Sequence, residues 1–240
     1  MTAFLISIAA FCSTMIGGSL ALKLRDRLHL ILGFSAGAVI AVAFFDLMPE
    51  AVNLGEKNYG IENIIAFVAL GFLLYLLLDR LLLLHSHAHE EHEQTQSRGH
   101  IRAGSLSIHS FLDGVGIGLA FQVSPAVGGV VAIAVLAHDF SDGINTINVV
   151  VRHGGERSKA FRWLLVDAVA PVIGVLSTFL FTLTQEHLGV LLALFAGFFL
   201  YIGASDLVPE SHHVHPTFWT SAMTIFGAAV LFFAIRLANL

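Results

Sequence analysis

Long apolar stretches dominate this sequence and constrain its fold more than any other feature. A helix that crosses the hydrocarbon core of a bilayer needs about 20 mainly apolar residues. Eight stretches of this kind are present, and they cover residues 2–22, 30–51, 61–84, 105–123, 126–151, 161–183, 188–208 and 217–237. Because a helix satisfies its own backbone hydrogen bonds in lipid, the sequence predicts an all-α polytopic membrane protein with eight transmembrane helices.

The composition agrees with this class. Charged residues make up 12% of the chain and hydrophobic residues 56%, and the mean hydropathy is +0.82. A soluble domain usually carries about twice that charged fraction. The first stretch lacks the basic start of a cleaved signal peptide, so we interpret it as the first span. No stretch remains for a soluble domain, and we expect residues 1–240 to form a single transmembrane domain.

The chain contains one cysteine, Cys12, inside the first apolar stretch. A single cysteine provides neither an intrachain disulfide framework nor a thiolate metal site. We expect Cys12 to be a small residue packed inside the bundle.

Basic residues are distributed unequally between the loops. With the loops assigned alternately to the two sides, one side carries only Lys57 and Arg236. The other side collects the remaining basic residues, which are Lys23, Arg25, Arg27, Arg80, Arg98, Arg102, Arg152, Arg157, Lys159 and Arg162. Cytoplasmic loops carry the excess of Lys and Arg in membrane proteins. The pattern predicts a multi-pass protein of the cell membrane, with both termini extracytoplasmic and the loop 85–103 in the cytoplasm.

Two segments of the sequence resemble each other. Residues 37–51 read GAVIAVAFFDLMPEA and residues 197–211 read GFFLYIGASDLVPES. Each has a glycine, an aspartate nine residues later and then Pro-Glu. In the topology above, the second and seventh spans run in opposite directions. Inverted repeats of this sort are typical of transporter folds.

Ionisable residues inside spans are costly and usually functional. The fourth span contains HSFLDG and the fifth HDFSDG, so His109 and Asp113, like His138 and Asp142, are four residues apart on one helical face. The two histidines are nearly equidistant from the turn near residue 124, which puts them at similar depth. Neutral imidazole and ionised carboxylate are suitable ligands for Zn²⁺ and neighbouring ions. We therefore expect these four side chains to converge on a metal ion.

Further polar groups lie beside this set. Ser110 and Asp139 each follow a histidine by one residue, so they point about 100° away and could line a second position. The sixth span adds Asp167, four residues before Pro171. A purely structural network of so many acids would leave uncompensated charge in hydrocarbon, which favours a metal role. Small residues that allow close helix approach are also present, namely Gly114, Gly116, Gly118 and Gly143.

These strings resemble the ZIP (Zrt/Irt-like) family of metal transporters over essentially the whole chain. The fourth-span motif H-N-x-x-E-G of the family is matched by His109, Ser110, Asp113 and Gly114. The fifth-span motif H-E-x-x-[EH] is matched by His138, Asp139 and Asp142. Asp167 with Pro171 matches the sixth span, and the Pro-Glu ends of the second and seventh spans match as well. This chain has Asp where the family commonly has Glu, and Ser110 where it commonly has Asn.

The resemblance implies a function and a site. It implies divalent metal uptake toward the cytoplasm, an elevator-like movement of the first, fourth, fifth and sixth spans against the others, and a homodimer. One metal position would use His109, Asp113, His138 and Asp142. A second would use Ser110, Asp113, Asp139, Asp142 and Asp167, with Asp113 and Asp142 bridging. One or two ions would be bound, zinc first and then iron, manganese or cadmium, with no resident cofactor.

Polar residues outside the central set predict a route for the ion. On the outer side, Asp46 and Glu50 would attract cations to an entrance. On the cytoplasmic side, an exit would consist of Asp79, Asp206, Glu210 and His212. The third loop is rich in histidine, and weak metal binding is expected at His85, His87, His89 and His92.

Two other function classes fit parts of the sequence. A cation diffusion facilitator also pairs His and Asp in two spans, but it resembles a six-span body with a cytoplasmic C-terminal domain. An intramembrane zinc hydrolase would need an open coordination position and a base. The crowded ligand set and the repeat favour a transporter, so we expect no enzyme activity. The expected partners are divalent metal ions and the bilayer, without nucleic acid.

Overall fold

The structure is a computed structural model that describes residues 1–24, 28–85, 94–213 and 218–238. Within these ranges all regular elements are helical. Eight helical stretches in this part of the chain are long and apolar enough to cross a membrane. The predicted all-α class and the predicted number of spans are confirmed.

Ten α-helices and two π-helical turns follow one another along the described chain. In order, the α-helices are α1 (Thr2–Leu24), α2 (Leu28–Val42), α3 (Met48–Tyr59), α4 (Ile61–His85), α5 (Gln94–Val123), α6 (Pro125–Arg152), α7 (Arg157–Thr178), α8 (Gln185–Tyr201), α9 (Val208–His213) and α10 (Phe218–Ala238). The π turns Ala43–Leu47 and Ile202–Leu207 connect α2 to α3 and α8 to α9 without a break. Each of these two connected pairs therefore makes one long span.

The two π turns occupy equivalent places in the two similar sequence segments. In each, the residue after the turn donates its backbone N–H to the carbonyl five residues earlier, Met48 to Ala43 and Val208 to Gly203. A proline follows directly, and proline both lacks an N–H and crowds the carbonyl four residues before it. The wide turn gives that carbonyl room. The two segments are thus similar in local conformation as well as in sequence.

The sixth span is shorter than predicted. The apolar stretch 161–183 ends as a helix at Thr178. The side-chain amide of Gln122 donates to the carbonyl oxygens of Thr178 at 3.0 Å and Phe181 at 3.1 Å. These bonds satisfy carbonyls that a helix end leaves free, so the chain leaves the helix while its sequence is still apolar.

The predicted loop 85–103 is also shorter than expected, because α5 begins at Gln94 and residues 94–103 are helical. This extension packs on α7. The indole N–H of Trp163 donates to His100 Nδ1 at 2.8 Å. This contact joins residues that are 63 positions apart. It holds a polar segment whose sequence is equally compatible with a linker.

Cys12 is exposed, and the prediction that it is packed inside the bundle is wrong. It shares the outer face of α1 with Leu5, Ile8 and Ile16, which are also exposed. The spacing of these residues follows the helical period, so the apolar surroundings of Cys12 belong to the surface that faces lipid.

The helices pack in two groups. The first bundle contains α1, α5, α6 and α7, and the second bundle contains α2, α3, α4, α8, α9 and α10. The most extensive packing lies within the groups, between α5 and α7, α1 and α6, α2 and α10, and α4 and α8. The contact between the groups is smaller, and α2 with α6 forms its largest part.

Reciprocal glycines join each of these four helix pairs. At every one of them a Cβ atom would overlap the backbone of the partner helix. The glycines are Gly17 and Gly143 for α1–α6, Gly114 and Gly174 for α5–α7, Gly37 and Gly227 for α2–α10, and Gly71 and Gly197 for α4–α8. Small residues let backbones approach closely where lipid gives no hydrophobic drive for association. The close approach expected at Gly114 and Gly143 is confirmed.

Candidate metal centre

Four buried side chains from α5 and α6 meet in the middle of the first bundle. They are His109, Asp113, His138 and Asp142, and each offers one ligand atom within 4.8 Å of all the others. Each pair is one helical turn apart, and the short connection between the two helices brings the pairs to the same depth. The predicted convergence of two imidazoles and two carboxylates is present.

The distances in this cluster match the edges of a small coordination polyhedron. His109 Nε2 lies 3.1 Å from Asp113 Oδ2 and 3.5 Å from Asp142 Oδ2. His138 Nε2 lies 3.2 Å and 3.8 Å from the same two oxygens. Zinc holds N and O ligands at about 2.0–2.2 Å, so neighbouring ligand atoms in a tetrahedron are about 3.3–3.6 Å apart. The donor set and its spacing therefore fit tetrahedral Zn²⁺.

The outer nitrogen of each imidazole is already engaged. His138 Nδ1 lies 2.9 Å from the carbonyl oxygen of Ala134, one turn earlier on α6. His109 Nδ1 lies 2.9 Å from the hydroxyl of Tyr75 on α4, in the second bundle. Contacts of this kind orient a ligating histidine and fix its tautomer. Both rings consequently present Nε2 to the centre.

Asp167 lies beside the four-residue cluster with two hydroxyl donors. Ser110 donates to one of its carboxylate oxygens at 2.8 Å and Thr146 donates to the other at 2.9 Å. All three residues are buried. The structure thus brings Ser110 and Asp167 together as members of one network. Thr146 follows Asp142 by four residues and so lies on the same face of α6.

Asp139 is fully buried, at 0% exposure. Neither of its carboxylate oxygens has a hydrogen-bond donor in the part of the chain that the structure describes. The carboxylates of Asp113, Asp142 and Asp167 are close enough to repel it. A buried acid without a donor is costly unless a proton or a cation neutralises it. The repulsion from these carboxylates shows that Asp139 lies close to the four-residue cluster. Asp139 is not one of the four residues whose ligand atoms meet there.

The two residues predicted for an entrance lie around the first π turn. Asp46 is in that turn and is buried, and its Oδ2 has no hydrogen-bond donor among the described residues. Glu50 lies in the first turn of α3, and Asn53 donates to it at 3.4 Å. The two carboxylates are close enough to repel each other. Together they place two carboxyl groups close to each other at this end of the bundle.

The residues predicted for an exit are only partly brought together. Asp206, in the second π turn, interacts electrostatically with His109 and Asp142 of the cluster and with Asp79 and Glu210. The hydroxyl of Tyr201 donates to Asp79 at 2.9 Å. His212 contacts Ser221 instead, at 3.1 Å. Of the loop histidines, His85 ends α4, whereas His87, His89 and His92 lie outside the described residues.

Comparisons with known proteins agree on one family. A family model described as ZIP Zinc transporter matches residues 98–234. The chain is 27% identical to Zinc transporter ZupT of Corynebacterium aurimucosum, with 98% of this chain and 96% of that protein covered. It is 25% identical to Zinc transporter ZupT of Streptococcus mutans serotype c, with 97% of each covered. It is 24% identical to Zinc transporter ZIP9 of Micropogonias undulatus, with 86% and 84% covered.

Proposed function

Because this chain belongs to the ZIP zinc transporter family, we propose that it carries zinc across the cell membrane toward the cytoplasm. The observation that carries this proposal is the buried cluster of His109, Asp113, His138 and Asp142, which lies within the matched region. Two carboxylates balance the charge of one divalent ion, so an ion held there leaves no net charge in the four-residue cluster. Imidazole and carboxylate donors also suit iron and manganese, and the family resemblance adds cadmium as a further substrate.

A second ion position lies beside the first in this proposal. It would use Ser110, Asp139 and Asp167, with Asp113 and Asp142 shared between the two ions. The unpartnered carboxylate of Asp139 supports it, because a cation at that point would remove the cost of the buried charge. The hydroxyl bonds to Asp167 also support it, since they hold that carboxylate beside the cluster.

The proposed route runs between the two π turns. Asp46 and Glu50 collect cations on the outer side, and Asp206 with Asp79 and Glu210 receives them on the cytoplasmic side. The uptake direction rests on the family resemblance, and the excess of basic residues predicts which end of the route faces the cytoplasm. His212 and the loop residues His85, His87, His89 and His92 would take up the released ion.

The proposed mechanism is an elevator-like movement of the first bundle against the second. Two observations support it. The glycine pairs that bring backbones together join helices within a bundle, so each bundle can move as a unit. The helix pairs also correspond to one another across the two proposed repeats. The pair α1–α6 corresponds to α5–α7, and the pair α2–α10 corresponds to α4–α8, as is expected when both inverted repeats contribute equivalent helices to each bundle.

A homodimer completes the proposal. The span formed by α4 is the least buried of the eight, with 17% of its most apolar window inside the fold. Its exposed face carries Ile65, Leu73 and Leu77. A second copy could cover such a face. Chemical cross-linking of cysteines placed at Leu73 in membranes tests the arrangement, and failure to cross-link would place the dimer contact elsewhere.

The two alternatives from the sequence receive no support. The related proteins are named zinc transporters, and the family is one of transporters rather than enzymes. A cation diffusion facilitator would also transport zinc, but in the export direction. The direction of flux therefore has to be measured to separate the two classes of transporter.

Zinc flux into proteoliposomes tests the proposed function. Purified protein is reconstituted, and radioactive zinc uptake is followed with and without a pH gradient and with iron, manganese or cadmium as competitors. We expect Asp113→Asn and His138→Gln to reduce uptake to background, while Glu62→Gln on the exposed outer end of α4 leaves it unchanged. Full uptake by Asp113→Asn would show that the cluster is not the transport site.

A further inference from the structure

A cavity of about 300 Å³ lies at the start of α7, away from the metal centre. It is lined by His100, Lys159, Arg162, Trp163 and Val166. The four residues from α7 are spaced by three, one and three positions, so they share one face of the helix. His100, from the extension of α5, closes the other side. None of these residues takes part in the proposed transport route.

The lining changes character along α7. Lys159 and Arg162 lie in the first two turns of the helix, Trp163 comes next, and Val166 follows deeper in the span. Val166 is 52% exposed, and Ile173 continues the exposed apolar surface two turns further on. A cationic end, an aromatic belt and an apolar tail follow the order of a phospholipid, with its phosphate, its glycerol region and its acyl chain.

The charged side chains that line the cavity are available to bind a ligand. Within the described ranges, neither Lys159 nor Arg162 forms an ion pair with a carboxylate, since the ion pairs there all belong to the metal centre. The indole N–H of Trp163 donates to His100 Nδ1, so a neutral His100 carries its proton on Nε2. His100 therefore adds a third donor to the two cations.

We propose that this cavity binds an anionic phospholipid, with Lys159 and Arg162 on the phosphate and an acyl chain along Val166. Basic pockets between transmembrane helices are suited to anionic headgroups. The cationic lining excludes a metal ion. A soluble phosphate would make no use of the exposed apolar surface that continues from the cavity into the membrane span.

Tryptophan fluorescence can test the proposal because the chain has only two tryptophans. In a Trp219→Phe background, Trp163 is the single reporter. The protein is placed in nanodiscs of phosphatidylcholine with a minor fraction of phosphatidylglycerol, and brominated acyl chains are carried by one lipid or the other. Brominated phosphatidylglycerol should quench Trp163 at least threefold more per mole than brominated phosphatidylcholine.

Matched variants distinguish a specific lipid site from a general attraction of anionic lipid to surface charge. Lys159→Gln with Arg162→Gln should abolish the preference for phosphatidylglycerol. Arg102→Gln with Arg157→Gln removes the same charge from the same side without touching the cavity lining, and should retain the preference. Equal quenching by the two brominated lipids, or equal loss in both double variants, would overturn the proposal. So would relief of quenching by millimolar inorganic phosphate, which would identify a soluble anion as the occupant.

Native mass spectrometry of the unmodified chain gives a second measurement that does not depend on Trp219→Phe. Phosphatidylglycerol should remain bound at activation energies that remove phosphatidylcholine. The Lys159→Gln, Arg162→Gln protein should lose this difference while remaining monodisperse. Retention of the difference in that protein would place the lipid elsewhere. These outcomes are independent of zinc uptake, so the lipid site and the proposed transport function can fail separately.

Discussion

The hydroxyl of Tyr75 lies 2.9 Å from Nδ1 of His109, and this contact joins the two helix bundles at the candidate metal centre. Tyr75 belongs to α4 and His109 to α5. The ring of Tyr75 also packs against Tyr201 and Phe198 of α8, so the second bundle holds it firmly. The orientation of one candidate metal ligand thus depends on a residue outside the bundle that carries the site.

Tyr75→Phe should weaken zinc uptake without unfolding the protein. The substitution keeps the ring and removes only the hydroxyl that orients His109. Loss of such an outer partner typically costs about 10–100-fold in metal affinity, so we expect a rise of about tenfold or more in the half-saturating zinc concentration. Tyr59→Phe, at the far end of the second span, is the control. Equal kinetics for both variants would contradict the role of Tyr75.

Asp139→Asn should lower the number of ions bound while leaving the first ion in place. Asp139 is outside the four-residue cluster, and the amide is nearly isosteric and uncharged. Wild-type protein saturated with zinc is compared with the variant by calorimetry and elemental analysis. We expect one ion fewer per chain in Asp139→Asn. An unchanged stoichiometry would mean that Asp139 is a neutral structural residue.

Zinc binding should release at least one proton per ion. His138 Nδ1 lies 2.9 Å from the carbonyl of Ala134, which can only accept, so Nδ1 carries a proton. His138 Nε2 and Asp113 Oδ2 are 3.2 Å apart and must share another proton. A metal ion on these two atoms displaces it. A pH indicator in weakly buffered detergent solution measures the release, which Asp46→Asn should not alter. Stoichiometric binding without release would refute this account.

Locking the two bundles together should stop transport. Ser35 of α2 and Ser141 of α6 face each other with their hydroxyl oxygens 3.2 Å apart. In a Cys12→Ser background, Ser35→Cys with Ser141→Cys should cross-link on oxidation. We expect zinc uptake to fall to background when oxidised and to return on reduction, while Ser35→Cys alone shows no redox dependence. Normal uptake by the cross-linked protein would exclude movement between α2 and α6.

Gly143→Ala should destabilise the first bundle, whereas Gly129→Ala on the same helix should not. A Cβ at Gly143 would overlap the carbonyl oxygen of Thr14, but a Cβ at Gly129 would meet nothing within 4 Å. Forcing α1 and α6 apart costs about 1–3 kcal/mol for overpacking of this kind. Thermal unfolding in detergent should show a melting temperature several degrees lower for Gly143→Ala only. A similar decrease for both variants would contradict the role of the close contact, because alanine favours a helix more than glycine does.

The sequence predicted the core of the candidate site because its geometry is local. His109 with Asp113 and His138 with Asp142 are each one turn apart, and a short connection between two helices determines their relative depth. Helical periodicity and the position of one turn are then sufficient to predict that these four side chains meet. The number of spans was predictable for a similar reason, since each apolar stretch is long enough to be recognised separately.

Other features depend on packing that the sequence does not encode locally. Tyr75 and His109 are 34 positions apart on different helices, and periodicity alone does not say which face of α4 meets α5. The helical extension 94–103 contacts Trp163 through His100, and the end of α7 accepts a hydrogen bond from Gln122, both over long separations in sequence. Thr146 is the exception, because its position one turn after Asp142 was a usable signal.

Only Ser124 separates α5 from α6. These two helices carry most of the buried acids and histidines, and inserting a charged residue at mid-span costs about 2.5–3.5 kcal/mol. Because the connection is this short, we expect the two helices to enter the bilayer together, as a hairpin in which Asp113 faces His109 and His138. The contacts that form the candidate metal site would then also offset the charge of the chain as it is inserted, so the site would assist its own assembly in the membrane.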